Sequence, residues 1–113
     1  MTPRLASKLI ASALVRSVEI AGGFGMILAK GDAEAGSILI VALEKGQITG
    51  LYERQMAADM RYVWTGVGPQ ALDNKAEIDE FVERRRARDP DLWVIELDIP
   101  NAPQFIAEFD TLA

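Results

Sequence analysis

At 113 residues, with no cysteine and no histidine, the chain has the length of one domain, residues 1–113, and enough surface to bury a core without staples. The missing residue types exclude disulfides, thiolate metal sites, cysteine nucleophiles, serine–histidine catalysis and standard zinc chemistry, which leaves any reaction to Asp, Glu, Lys, Arg, Tyr, Ser or Thr. A net charge of −5 and a pI near 4.7 argue against general nucleic-acid binding, which rests on neutralising phosphates.

The N-terminal run Leu9–Val15 is apolar and follows Arg4 and Lys8, which imitates a targeting signal. Arg16 cuts it short, and a helix explains the pattern better. Thr2 can cap that helix and Pro3 suits its first turn. Arg4, Lys8, Ser12, Arg16 and Glu19 fall on one stripe, while Leu5, Leu9, Ile10, Ala13, Leu14 and Ile20 form a broad apolar arc. No apolar run approaches the length of a membrane span.

Ala21-Gly22-Gly23 ends the helix. Phe24–Ala29 reads as a short strand and residues 30–36 as a loop. Ser37–Leu43 is continuously apolar and β-branched, the pattern of a central strand covered on both faces. Lys45-Gly46 makes a tight turn into a third strand, Gln47–Glu53, so the two form a hairpin. Alternation places Ile48, Gly50 and Tyr52 on one face of that strand and Thr49, Leu51 and Glu53 on the other. Residues 56–59 read as a loop, and Arg61–Thr65 as a fourth strand with Tyr62 and Trp64 on one face.

Asp73 or Asn74 caps a second helix running to about Arg88, with Ile78, Phe81 and Val82 as its apolar stripe. Acids crowd its start and arginines its end, as the helix dipole favours. A fifth strand, Leu92–Ile99, places Trp93, Ile95, Leu97 and Ile99 on one face. Residues 100–103 break it, and Phe105, Ile106, Phe109 and Leu112 mark a short terminal helix that needs a surface to dock on. The order α-β-β-β-β-α-β-α predicts an α+β domain with one mostly antiparallel sheet of about five strands and helices packed on it.

Several motifs imitate sites. Gly31 and Gly36 have the glycine spacing of a phosphate loop, but the lysine before Ser37 is missing and a strand follows. Gly22-Gly23-Phe24-Gly25 lacks the third glycine of a dinucleotide fingerprint. A helix, several strands, a helix and a strand is also the core order of restriction-endonuclease-like enzymes. Their carboxylates and a lysine hold magnesium. Glu44, Lys45 and Glu53, with Asp32, are the residues such a reading would use, although no Asp…Glu-x-Lys arrangement is present. Tyr52, Tyr62 and Trp64 could form a stacking face for RNA, but core packing accounts for them, as it does for Trp93. Arg84, Arg85, Arg86 and Arg88 complete a helix end. Arg84, Arg85 and Arg88 are the candidate partner-binding residues, with Glu80 and Glu83 as competing ion-pair partners.

Ala21-Gly22-Gly23-Phe24, Lys30-Gly31-Asp32, Ala35-Gly36 and above all Arg88-Asp89-Pro90-Asp91-Leu92-Trp93-Val94-Ile95-Glu96 carry a family resemblance. Over nearly its whole length the chain resembles the small alphaproteobacterial proteins of the domain-of-unknown-function family 1491. The resemblance implies a bacterial cytoplasmic protein and hands over no catalytic residue, substrate or cofactor.

The chain ends differ in charge. Residues 1–30 carry Arg4, Lys8, Arg16 and Lys30 against Glu19, net +3, and residues 89–113 carry six acids and no base, net −6. This split and the apolar arc of the first helix predict a non-enzymatic binding or accessory module that self-associates, without cofactor or metal. The alternatives are a magnesium-dependent nuclease-like enzyme, and RNA or acidic-partner binding through Arg84–Arg88.

Overall fold

The structure, a computed structural model, describes residues 5–112. Its elements are α1 (Ser7–Ile20), β1 (Phe24–Ala29), β2 (Ile38–Glu44), β3 (Gln47–Met56), β4 (Tyr62–Gly66), α2 (Lys75–Arg88), β5 (Trp93–Asp98) and α3 (Ala102–Leu112). This is the expected order. The cap at Thr2, the first-turn Pro3 and the stripe residue Arg4 lie outside the described residues. Leu5 and Ala6 are not helical, so α1 starts at Ser7.

The five strands form one sheet in the order β1-β5-β2-β3-β4. The expectation of a mostly antiparallel sheet needs correction. The sheet is mixed, because β5 enters between β1 and β2 and runs parallel to β2, with Ile40 opposite Ile95. The pairs β1·β5, β2·β3 and β3·β4 are antiparallel. A strand that returns to the middle of a sheet after β3, β4 and α2 leaves no local trace in the sequence. Its apolar run is the trace of burial alone.

Two cores sandwich the sheet. On one face α1 and α3 cover Ile38, Ile40, Trp93, Ile95 and Leu97, using Ile10, Leu14, Val18 and Ile106. On the other, α2 contributes Ile78 over Leu39, Val41, Leu51, Leu92 and Val94. Asn74 is the α2 cap, and its Oδ1 accepts from the Glu77 N–H at 3.1 Å. Lys8, Ser12, Arg16 and Glu19 are exposed as the stripe predicts. Leu5, Leu9 and Ile20 are exposed too, so the apolar arc is narrower than the spacing suggests.

The β2–β3 hairpin turns on Lys45 (φ 52°) and Gly46 (φ 81°). Both lie in the left-handed region that a two-residue hairpin turn requires. A bulge at Ala42/Leu43 pairs Leu43 with Ile48 and moves Ile48 onto the α2 face, into the second core. Strict alternation had grouped it with Gly50 and Tyr52. β3 also runs three residues beyond Glu53, to Met56, because β4 pairs with it as far as Tyr62.

Candidate binding cleft

The residues that look most like motifs meet in space, and they do structural work. The Asp91 carbonyl accepts from the Asp32 N–H at 3.0 Å. The Trp93 indole N–H donates to the Asp32 carbonyl at 2.8 Å, and the Trp93 N–H to Ser37 O at 2.8 Å. Gly31 and Gly36 both lie against the Asp91 carbonyl, where neither has room for a Cβ. The glycine spacing that imitates a phosphate loop therefore clasps the Asp89-Pro90-Asp91 turn. The start of α1 is also occupied. The Ser7 and Lys8 N–H groups donate to Glu34 O and Ala33 O, and the buried Ser7 hydroxyl donates to Gly36 O at 2.6 Å. Gly23 is likewise a packing glycine, since a Cβ there would overlap the Asp98 carbonyl and lie 3.0 Å from Val18 Cγ1.

The carboxylates of the nuclease-like reading are not gathered. Asp32 Oδ2 accepts from the Glu34 and Ala35 N–H groups and shapes its own loop. Glu44, at the far end of β2, accepts from the Asn101 N–H at 3.4 Å. Glu53 pairs with Arg85, and Lys45 is the hairpin turn. Among the described residues no three metal-ligating side chains come within reach of one ion. Asp59 has its carboxyl held below the usual range by the Arg61 backbone N–H, helped by the Arg61 guanidinium. It belongs to an exposed loop.

The arginine cluster divides. Arg85 reaches the sheet and pairs with Glu53, with the two side chains 22% and 13% exposed, so it is a packing residue. Arg86 pairs with Glu83 at 3.6 Å. Arg84 lies 4.0 Å from Glu80, a loose contact. Arg88 is exposed with no ion-pair partner among the described residues. The aromatic set is half-buried. Tyr52 and Trp64 pack against the first core, and the Arg54 guanidinium lies 4.6 Å from the Tyr62 ring centroid.

What the sequence reading missed is a cleft of about 650 Å³ between α2 and the sheet. Its floor is Leu28, Val41, Leu43, Ile48 and Val94, and Ile78 and Val82 form the α2 wall. Charges line it as well. Lys75–Asp79 and Arg86–Glu83 are paired within α2. Asp73 and Glu96 have no ion-pair partner among the described residues, which leaves the cleft with a net charge of −2. Glu96 is half-buried in the middle of the sheet, opposite Met26 on β1 and Val41 on β2. The only sequence signal was an acid at a core-strand position facing away from Trp93, Ile95 and Leu97.

The family model described as "Protein of unknown function (DUF1491)" matches residues 5–107. The crystal structure of a DUF1491 family protein from Caulobacter crescentus CB15 is 30% identical, covers 85% of this chain and 89% of its own, and superposes with a TM-score of 0.75. An NMR structure of a DUF1491 family protein from the same organism is 28% identical, with coverage of 88% and 90% and a TM-score of 0.76. Protein Atu0922 from A. tumefaciens is 30% identical, with coverage of 88% and 89% and a TM-score of 0.70. No curated protein matches.

Proposed function

Because the chain belongs to the DUF1491 family, described only as proteins of unknown function, its role is argued from its own surface: we propose a small non-enzymatic binding or accessory module, self-associating and cytoplasmic, that receives a protein segment in the α2 cleft. The observation that carries this reading is the half-buried Glu96, without an ion-pair partner among the described residues, on an otherwise apolar floor. A carboxylate held among apolar side chains is costly unless a cation meets it. The matching segment carries one basic residue flanked by apolar ones. Pockets that bind partners commonly combine an apolar lining with a few placed polar groups.

Selection of phage-displayed random peptides against the full chain tests this, with counter-selection against Glu96→Lys. The recovered peptides should share a basic residue between apolar neighbours. A synthetic copy should bind Glu96→Lys about tenfold or more weakly, the scale of a lost close charge pair. Equal affinity for both proteins, or no enrichment, rejects the cleft as the site.

A second reading, docking of an acidic partner on the end of α2, is favoured by the exposed Arg88 and the loosely held Arg84. Arg85 would join that surface only by giving up Glu53. Polyglutamate is the probe, and its binding should weaken in Arg84→Ala/Arg88→Ala and with added salt. Binding unchanged in that variant removes this reading.

A further inference from the structure

Edge strands of soluble proteins are normally blunted by charge, proline or a covering element. β4 is five residues long, follows Arg61 and packs under α3. β1 is covered on one face by α1, but its outer edge along Phe24-Gly25-Met26-Ile27-Leu28 holds no charge and no proline. A bulge between Ile27 and Ala29 interrupts only its far end. Phe24, Met26 and Leu28 are 77%, 59% and 48% exposed. All three share the cleft face, since Met26 pairs with Glu96 while Ile27 pairs with the core residue Ile95.

We infer that a second copy of this chain pairs with β1 in antiparallel fashion, about a twofold axis at Met26, making one continuous ten-stranded sheet. This rests on the self-association in the reading above and identifies the surface that makes it. An antiparallel pair related by a twofold is self-complementary. Centring it on Met26 sets Phe24 against the partner's Leu28 and Met26 against the partner's Met26 on the cleft face. On the other face it sets Gly25 against the partner's Ile27. The small residue falls where the α1 backbone presses close, because a Cβ on Gly25 would lie 3.1 Å from Val15 Cα.

The occupant is identified by charge on α1. Val15 sits on Gly25, so the α1 flank overhanging the β1 edge is the stripe at helical spacing through Val15, namely Lys8, Ser12, Val15 and Glu19. Lys8 and Glu19 are exposed and have no ion-pair partner among the described residues. The twofold that reverses β1 also reverses α1. Lys8 then comes alongside the partner's Glu19, and Glu19 alongside the partner's Lys8. An unrelated extended peptide could pair with β1 but has no reason to match both charges at this spacing.

Sedimentation equilibrium of the full chain across the micromolar range tests the arrangement. The wild type should be a dimer, and Met26→Glu a monomer with unchanged circular dichroism. Lys8→Glu and Glu19→Lys should each weaken the dimer about tenfold or more, as two charge pairs turn repulsive. The double reversal Lys8→Glu/Glu19→Lys should restore it to near wild-type strength. A wild-type dimer that persists in Met26→Glu, or charge reversals that the double variant does not rescue, overturn this interface and leave self-association through another surface. A monomeric wild type overturns both.

Discussion

Gly31→Ala should destabilise the protein by about 3 kcal/mol or more, the upper range for overpacking. That corresponds to a melting temperature lower by roughly 12 °C or more for a domain of this size. The added Cβ would overlap the Asp91 carbonyl oxygen and lie 2.6 Å from its carbon and 2.8 Å from the Leu92 carbonyl carbon. These are backbone atoms, so no side-chain rotation relieves the clash. Moving the turn would strain three hydrogen bonds together: Asp32 N to Asp91 O, the Trp93 indole to Asp32 O, and Trp93 N to Ser37 O. Gly66→Ala is the control. Nothing lies within 4 Å of its Cβ position and its φ is not positive, so the change should stay within about 0.5 kcal/mol. Thermal and urea denaturation measure both, and a Gly31→Ala midpoint equal to wild type would disprove the clasp.

The second large effect concerns Arg85, which the sequence offers as a binding residue. Arg85→Ala should cost about 2–3 kcal/mol, because it leaves the Glu53 carboxylate unpaired in a mostly buried site. Breaking a fully buried pair costs about 3–5 kcal/mol, and the residual exposure of 22% and 13% reduces that. Replacing both partners with methionine should cost less than the single change, since no stranded charge remains. Arg84→Ala and Arg88→Ala should each stay within about 0.5 kcal/mol, as expected of exposed side chains. A double-mutant cycle on Glu53 and Arg85 by urea denaturation gives the coupling. A coupling near zero would return Arg85 to the surface set.

The two expected results bear on function together. They assign the clasp around Asp91 and one of the four arginines to the folded framework. Of the other three arginines, Arg86 is paired with Glu83, which leaves Arg84 and Arg88 as the exposed candidates for a partner. They also separate stability from binding. Variants at Glu96, Met26 and Lys8 touch half-buried or exposed side chains outside both cores, so a change in association there reads out a surface.

Much of the local structure was legible because it depends on neighbours in sequence. Gly22-Gly23 stops α1, Lys45-Gly46 turns the hairpin, Asn74 caps α2, and the alternation of Trp93, Ile95, Leu97 and Ile99 gives the buried face of β5 and its continuation. Each follows from backbone conformation or from a period of 2 or 3.6 residues. The errors arise where strand pairing or packing between layers overrides the local period. Ile48 changes face because one bulged residue reverses the alternation. The apolar arc of α1 narrows because the sheet beneath it fully buries Ile10, Ala11, Leu14 and Val18 and leaves Leu9 and Ile20 exposed.

By itself, then, the sequence determined the number, kind and order of the elements, and through Arg88–Glu96 the family. Only the tertiary structure decided that β5 lies between β1 and β2, parallel to β2. That one placement brings Asp91 into the grip of Gly31 and Gly36. It sets Glu96 in the floor of the cleft and leaves β1 as an uncharged edge. Propensity and periodicity report what each residue does to its neighbours along the chain. Which strand lies beside which is decided by burial and hydrogen bonding across dozens of residues, and the sequence carries no local mark of it.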